Sequence, residues 1–289
     1  MLAFSVLCSP AVCCYMFISG YFEMKFRWGR LFYFIFLSFC CLFIGLLIRW
    51  YVWGDCNKMD IVRHLFPIST QKWWFLTFYV MIYILSPLIN KGLSLVQKNE
   101  LKTIIYLCFS VLTLSFFQFS SGSGSTLFMM LSMYLLGRYF RMYDIRLSLK
   151  NSALVFCAAF LILFVIVVGL NSIPGPNSHL AFIALCYNNP LIIMMAVTLF
   201  FVVLNLRPSY NQYINKLLAP ILSIYLLTET TGKFFYEYQK NLFDNGFLLG
   251  FLSIILVSIS CLLIGHLVNC LFELLKKICV KETCQITNK

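Results

Sequence analysis

Apolar residues follow one another in long runs along this chain, and short polar segments separate the runs. A helix that crosses a bilayer needs about 20 mostly apolar residues, because it rises ~1.5 Å per residue through a hydrocarbon core about 30 Å thick. Nine runs approach this length, at 2–22, 31–50, 73–90, 103–119, 126–140, 151–170, 183–205, 217–230 and 246–272. The pattern predicts an all-α fold, a polytopic transmembrane helical bundle with about nine membrane helices.

The lengths of three runs refine this prediction. The runs at 126–140 and 217–230 are short for a membrane span, whereas the run at 246–272 is long. We expect the last helix to leave the membrane near Phe272 and to continue as an amphipathic helix. The sequence shows no internal repeat and no Pro/Gly-rich linker, so we predict a single domain over 1–289.

The positions of lysine and arginine predict the orientation of the helices. Cytoplasmic loops of membrane proteins carry an excess of these two residues. If the amino terminus is outside, sixteen of the 22 lysines and arginines fall on the cytoplasmic side. The segments 120–125 and 171–182, which are then outside, carry neither residue type. We therefore predict a multi-pass protein with its amino terminus outside and its carboxyl terminus in the cytoplasm.

Composition argues against two other classes of protein. Hydrophobic residues make up 61% of the chain and charged residues 11%, whereas a soluble domain carries about 25% charged residues. The net charge of +12 comes from loops between apolar runs, so we assign it to membrane topology and predict no nucleic-acid partner. Most of the 13 cysteines lie inside apolar runs, and the sequence has no Cys/His spacing suited to zinc. We predict no metal site.

Five segments resemble, in order and spacing, motifs of the integral-membrane acyltransferase-3 family. The first is PAVCCYMFISGYF at 10–22, which resembles the ISGYF signature of the family. The second is LFPISTQKWWFLTFYVMIYILSPLIN at 65–90, which resembles a block of its surface-polysaccharide O-acetyltransferase branch. The others are LSMYLLGRYFRMY at 131–143, YNNPLIIMMAVTLFFVVLNL at 187–206 and LLAPILSIYLLTET at 217–230. The resemblance covers nearly the whole chain.

The resemblance implies an enzyme with a soluble acyl donor. Family members move an acyl group, usually acetyl from acetyl-CoA, onto a sugar hydroxyl. In the polysaccharide branch the acceptor is a bacterial capsule or O-antigen polysaccharide or its lipid-linked unit, and the enzyme lies in the cytoplasmic (inner) membrane. The expected partners are therefore acetyl-CoA, the glycan acceptor and the lipid bilayer, with no bound cofactor.

The same resemblance implies that a catalytic histidine lies outside this sequence. In the family it belongs to an Arg-then-His motif on a helix before the ISGYF signature, which makes one helix more than the nine above. We expect that helix to precede Met1 and to be missing here; the alternative is a short apolar terminus that is translocated on its own. The family's LIHE region reads Leu227, Thr228 and Glu229, with threonine where histidine often stands.

Four arginines at cytoplasmic helix ends are candidates for binding the phosphates of CoA. Acyl transfer from a CoA thioester needs such cations, together with a base near the acceptor hydroxyl and stabilisation of the oxyanion. The candidates are Arg27, Arg30, Arg138 and Arg141. Arg138 directly follows Gly137, inside the apolar run, and is the strongest of the four. The alternative for each is to anchor or snorkel at the membrane surface.

His266 is the candidate base that this sequence itself offers. It lies inside the last apolar run, and an ionisable residue in a membrane helix is a functional hypothesis by default. The alternative is a hydrogen bond to a neighbouring helix. His64 and His179 fall in segments predicted to be outside, where we expect them to be solvated or interfacial.

Three residues near the predicted outer surface are candidates for contacting the acceptor sugar. They are Trp74, Tyr79 and Glu229. Aromatic faces stack on the CH groups of sugars, and a carboxylate accepts hydrogen bonds from hydroxyls. The alternatives are an interfacial aromatic belt and a solvated glutamate at a helix end.

Two short motifs are assigned structural roles instead. Gly20 permits close approach of a second helix. Asn188, Asn189 and Pro190 suit the start of a helix, because asparagine caps amino-terminal N–H groups and proline tolerates the first turn.

Two further functions stay open at the level of the sequence. A truncated family member that folds without catalysing fits the expected loss of a helix. A polytopic transporter of glycans or small molecules fits the apolar pattern, although transporters commonly contain repeated halves.

Overall fold

The computed structural model describes residues 2–54, 73–117, 124–172, 178–206 and 210–286. Within these ranges the secondary structure is helical and contains no strand, which confirms the all-α prediction. The helices are α1 Leu2–Cys8, α2 Ala11–Tyr21, α3 Trp28–Trp53, α4 Trp74–Leu95, α5 Lys98–Phe117, α6 Leu127–Met142, α7 Leu149–Ser172, α8 Ser178–Ala184, α9 Pro190–Asn205, α10 Gln212–Leu217, α11 Leu222–Asn245 and α12 Phe247–Ile286.

Six helical segments of the described chain are long and apolar enough to cross a membrane. They are Leu2–Tyr21, Trp28–Val52, Trp74–Leu95, Lys98–Phe117, Leu149–Ser172 and Phe247–Ile278. Helices α6 and α9 have 16 residues each, which is about 24 Å of helix against a core of about 30 Å. The structure thus confirms a polytopic helical protein, and the figure of nine membrane helices stays a prediction.

Local sequence explains where several helices begin and end. Pro10 separates α1 from α2, because proline has no N–H to donate to a helix that continues through it. The Thr126 hydroxyl accepts the Met129 N–H at 3.1 Å and caps α6. Asn189 caps α9 through the Leu191 N–H at 2.9 Å, with Pro190 in the first turn, which confirms the role assigned to these two residues. The Asn188 side-chain N–H₂ donates instead to the Ser115 hydroxyl at 3.0 Å, so its assignment as a cap is wrong.

The first packing unit comprises Met1–Phe26 and Trp74–Pro208. Helix α2 lies at its centre and packs against α6 and α9. The ring of Phe17, fully buried, lies 5.1 Å from that of Phe200 and 5.6 Å from that of Phe140. Helix α7 packs on the other side of α9, so the apolar rings of α2 and α9 form the core of the unit.

Pro87 lies inside helix α4 of this unit, so the Tyr83 carbonyl lacks the backbone N–H donor that residue 87 would otherwise provide. Proline at position i cannot donate to the carbonyl at i−4. The Ser86 hydroxyl donates to the Tyr83 carbonyl at 2.7 Å instead. The helix continues through Leu95 and contains both Tyr83 and Asn90.

The second packing unit comprises Arg27–Trp73 and Ser209–Lys289. Helices α3, α11 and α12 pack against one another in it. Gly45 lies against the side chain of Thr230, and the Phe272 ring packs at 5.4 Å on that of Tyr33. The prediction of a single domain over 1–289 stays a prediction.

Helix boundaries differ from the apolar runs at three places. The run at 2–22 forms two helices around Pro10, and the run at 183–205 contains the end of α8, a turn and α9. The run at 217–230 belongs to α10, a turn and α11, and α11 continues to Asn245. The expectation that Glu229 ends a helix is therefore wrong, because the polar residues after it remain helical.

Candidate functional site

The crossing of α2 and α6 places the candidate site of the first unit. A Cβ atom on Gly20 would overlap the carbonyl of Tyr134, and one on Gly137 would overlap the carbonyl of Phe17. Two glycines therefore allow the two backbones to touch, which confirms the role predicted for Gly20. Because Arg138 follows Gly137, this contact fixes Arg138 beside the end of α2.

The segment after α2 is fixed by side chains from two other helices. The Asn90 side-chain N–H₂ donates to the Met24 carbonyl at 3.0 Å, and the Tyr83 hydroxyl donates to the Lys25 carbonyl at 3.2 Å. The Tyr134 hydroxyl donates to the Asn90 side-chain oxygen at 2.8 Å. Helices α4 and α6 thus hold the backbone of residues 24 and 25 in one position.

Arg138 forms an ion pair with Glu23 in this position. Its Nη1 lies 3.2 Å from the Glu23 carboxylate, and the Arg138 side chain is 11% exposed while that of Glu23 is 40% exposed. Glu23 has a φ of 58°, a left-handed conformation that is uncommon for a residue with a Cβ. The Arg138 Nε is buried and has no hydrogen-bond partner in the described part of the chain. The guanidinium therefore keeps a donor that an anion could use.

A second cation lies next to this pair. The Arg141 guanidinium lies 5.4 Å from the centre of the Tyr21 ring, within the range of a cation–π contact. Arg141 is exposed, as is Lys25. Arg138 and Arg141 come from consecutive turns of α6, so the structure brings two of the four predicted CoA-binding arginines to one helix end.

The other two predicted arginines belong to the second unit. Arg27 precedes α3 with an extended backbone, and Arg30 lies in the first turn of α3. Both are exposed. The prediction that they bind CoA remains untested.

The position of His266 agrees with the alternative to a catalytic base, which is a hydrogen bond to a neighbouring helix. Its Nε2 lies 3.0 Å from the Leu217 carbonyl at the end of α10. An N–H at this nitrogen links α12 to α10, which is the interhelical hydrogen bond considered above. His64 lies outside the described residues, and His179 lies in α8 rather than in a loop.

The three predicted sugar-contacting residues fall in different surroundings. Tyr79 is only 8% exposed and stacks between Phe75 at 6.0 Å and Tyr83 at 6.5 Å, so it belongs to an aromatic core. Trp74 is partly exposed, with its ring 5.2 Å from that of Tyr187. Glu229 is exposed on α11 in the second unit. Trp74 and Tyr79 belong to the first unit and Glu229 to the second, and the prediction that they contact an acceptor sugar stays a prediction.

Sequence reasoning missed Glu23 and Asn90. The sequence could have indicated an ion pair at Glu23, since it is the one acidic residue among the basic residues at 23–30. The sequence around Asn90 gives no indication of its role beyond its place at the end of an apolar run. Its partners, Met24 and Tyr134, are distant in sequence, and only the folded chain brings them together.

Comparison with known proteins decides the class of this chain. A model of the acyltransferase domain of the acyltransferase-3 family matches residues 1–266. The chain belongs to the acyltransferase-3 family. The family identifies the protein as an acyltransferase with several membrane-type helices. No curated protein and no solved structure matches it.

Proposed function

We propose that this acyltransferase moves an acetyl group from acetyl-CoA to a hydroxyl of a bacterial surface polysaccharide or of its lipid-linked unit. The single observation that carries the proposal is the family match over residues 1–266. The segment at 65–90, which resembles the polysaccharide branch of the family, supports the choice of a glycan acceptor.

The basic end of α6 suits the donor side of this reaction. A phosphate accepts paired hydrogen bonds from guanidinium groups, which makes arginine well suited to bind CoA. Arg138 has a buried Nε without a described partner, and Arg141 is exposed one turn later. We infer that these two arginines bind a CoA phosphate, with Lys25 nearby and with Arg27 and Arg30 as further candidates.

The proposed transfer forms one bond, breaks one bond and moves two protons. The acceptor hydroxyl oxygen forms a bond to the thioester carbonyl carbon, and the C–S bond of the donor breaks. A base takes the hydroxyl proton, and the departing CoA thiolate takes up a proton. We assign no residue of this chain as the base, because the Nε2 of His266 lies at the Leu217 carbonyl.

The proposed location is the bacterial cytoplasmic membrane, with the basic loops in the cytoplasm. Acetyl-CoA is a cytoplasmic metabolite, so its binding residues must face that side. The orientation predicted from lysine and arginine places Arg138 and Arg141 there. The predicted orientation and the assignment of these arginines to the donor are thus consistent with each other.

The test uses membranes from cells that express the protein, together with acetyl-CoA labelled in the acetyl group and de-O-acetylated polysaccharide. We expect label in the polysaccharide. Arg141→Gln should raise the KM for acetyl-CoA about tenfold, since one charge-assisted contact contributes ~1.4 kcal/mol or more. Arg146→Gln is the matched control, because Arg146 is 69% exposed and pairs with Asp144. Polysaccharide taken up without label would indicate a transporter and contradict the proposal.

A further inference from the structure

Glu23 occupies a backbone position at which a carboxylate side chain is unusual. Helix α2 ends at Tyr21, Phe22 caps it, and Glu23 follows with a φ of 58°. Helices commonly end on a residue in this left-handed conformation, but that residue is usually glycine, because a Cβ atom disfavours it. An outlier of this kind points to a role for its side chain. The partner of that side chain is Arg138.

The backbone on both sides of this ion pair is held in place. The carbonyls of Met24 and Lys25 accept hydrogen bonds from side chains of α4. Arg138 follows Gly137, at which α6 touches the backbone of α2. The Glu23 side chain is partly exposed, so its carboxylate already reaches water. The ion pair can therefore open by rotation of side chains, without movement of either helix.

The ion pair keeps the Arg138 guanidinium in an orientation that a phosphate cannot fully use. Nη1 contacts the Glu23 carboxylate, and Nε is buried without a hydrogen-bond partner in the described residues. Arginine binds phosphate most strongly through two parallel N–H···O bonds. Each pair of N–H groups that forms such bonds includes Nη1 or Nε. A paired contact therefore requires the carboxylate to leave Nη1 or the guanidinium to turn, and both changes weaken the ion pair.

The charge of an anion decides whether it can displace Glu23. A carboxylate on the same chain competes at a high effective concentration, on the order of millimolar. A ligand with one carboxylate offers Arg138 the same contact and gains little by the exchange. A phosphate monoester or a diphosphate carries more charge, and Arg141, three residues later, is a neighbour on the surface of α6 that shares it. Glu23 thus favours multiply charged anions over singly charged ones.

We propose that Glu23 is an internal competitor of the acyl donor and makes the site at Arg138 and Arg141 specific for multiply charged phosphates. Without a donor, the Glu23 carboxylate pairs with Arg138. A phosphate of the donor replaces it, and the Glu23 side chain turns into solvent. The identification of this phosphate as one of CoA rests on the proposed function, whereas the competition between Glu23 and a phosphate does not.

Removal of the carboxylate tests the competition directly. Glu23→Gln and Glu23→Gly are compared with the parent chain by equilibrium binding of CoA and of inorganic pyrophosphate, in detergent without phospholipid. Glycine suits a φ of 58°, so Glu23→Gly provides a folded protein if Glu23→Gln folds poorly. Asp144→Asn and Asp144→Gly are the matched controls. Asp144 also has a left-handed φ, of 48°, just after a helix, and pairs with an arginine, but its pair with Arg146 is exposed.

We expect both Glu23 variants to bind both probes about tenfold more tightly, because a guanidinium that is paired for about nine tenths of the time loses that factor in apparent affinity. Both Asp144 variants should change the affinity by less than about twofold, since water screens that pair. The ligand should also stabilise Glu23→Gln against heat more than it stabilises the parent chain. A side chain with a purely structural role would instead lower stability and affinity together.

Unchanged, weaker or absent binding of both probes by the Glu23 variants would overturn the competition. An equal gain in the Asp144 variants would also overturn it, since it would show a general effect of charge. Tighter binding of CoA alone would support the exchange and restrict it to the donor. Tighter binding of pyrophosphate without any binding of CoA would leave the competition standing and contradict the proposed function. Tighter binding of CoA in a protein that labels no polysaccharide would contradict only the glycan acceptor.

Discussion

At the scale of single residues, burial and not distance decides which ion pair stabilises this protein. The Glu23–Arg138 pair has an N–O distance of 3.2 Å, and the Asp144–Arg146 pair has a shorter one of 2.9 Å. Both side chains of the second pair are 69% exposed, whereas Arg138 is 11% exposed. Water screens the exposed pair, so its contribution to stability is small. Arg138 is largely shielded from water, so water cannot solvate its charge when Glu23 is removed.

We therefore predict that Glu23→Gln destabilises the protein by about 1–2 kcal/mol, less than the ~3–5 kcal/mol of a fully buried pair because Glu23 is 40% exposed. Thermal unfolding in mild detergent measures the change. Asp144→Asn is the control and should change stability by less than about 0.5 kcal/mol. Equal effects of the two substitutions would show that the burial of Arg138 does not determine how much its ion pair contributes to stability.

At the scale of helices, backbone contact between α2 and α6 positions the candidate site. Gly20 and Gly137 each face a backbone carbonyl of the other helix, which cannot move aside as a side chain can. Arg138, Arg141 and the Tyr134 hydroxyl all belong to α6. Any change in the separation of the two helices therefore moves the predicted CoA-binding arginines relative to Glu23.

We predict that Gly137→Ala destabilises the protein by more than about 3 kcal/mol, because the added methyl group overlaps the Phe17 carbonyl. Gly92→Ala in α4 is the matched control, since a methyl group added there would meet no atom within 4 Å. It should stabilise the helix by about 0.5–1 kcal/mol. Size-exclusion chromatography after heating detects both changes; a Gly137→Ala variant as stable as the parent chain would contradict the close crossing.

The sequence predicts helices well where apolar runs and proline set the boundaries, and poorly where polar residues stay helical. Helices α3 and α7 extend only a few residues beyond the runs at 31–50 and 151–170. The apolar pattern does not predict α11 beyond residue 230, because the many polar residues in that part of the helix resemble a loop when tertiary packing is not known. In the candidate site, the sequence neighbours of Gly20 and Arg138 predict their roles. The role of Asn90 is not predictable from its neighbours, because its hydrogen-bond partners, Met24 and Tyr134, are distant in sequence.

At the scale of the whole molecule, the predicted orientation decides whether the proposed donor site can be reached. Acetyl-CoA requires the basic end of α6 to face the cytoplasm. Lys98 provides a test of this condition, because it is exposed at the start of α5 and belongs to a loop predicted to be cytoplasmic. Its ammonium lies 4.9 Å from the centre of the Tyr143 ring, in the same unit as Arg138 and Arg141.

We predict that Lys98→Cys is protected from a membrane-impermeant thiol reagent in intact cells and reacts once the membrane is permeabilised. Ser121→Cys, in a segment that the charge distribution predicts to be outside, should react in both cases. The comparison separates orientation from reactivity, because each variant serves as the control for the other. Reaction of Lys98→Cys from outside the cell would place the basic end of α6 away from acetyl-CoA. Both the orientation and the assignment of Arg138 and Arg141 to the donor would then have to be abandoned, even though the chain would remain an acyltransferase by family.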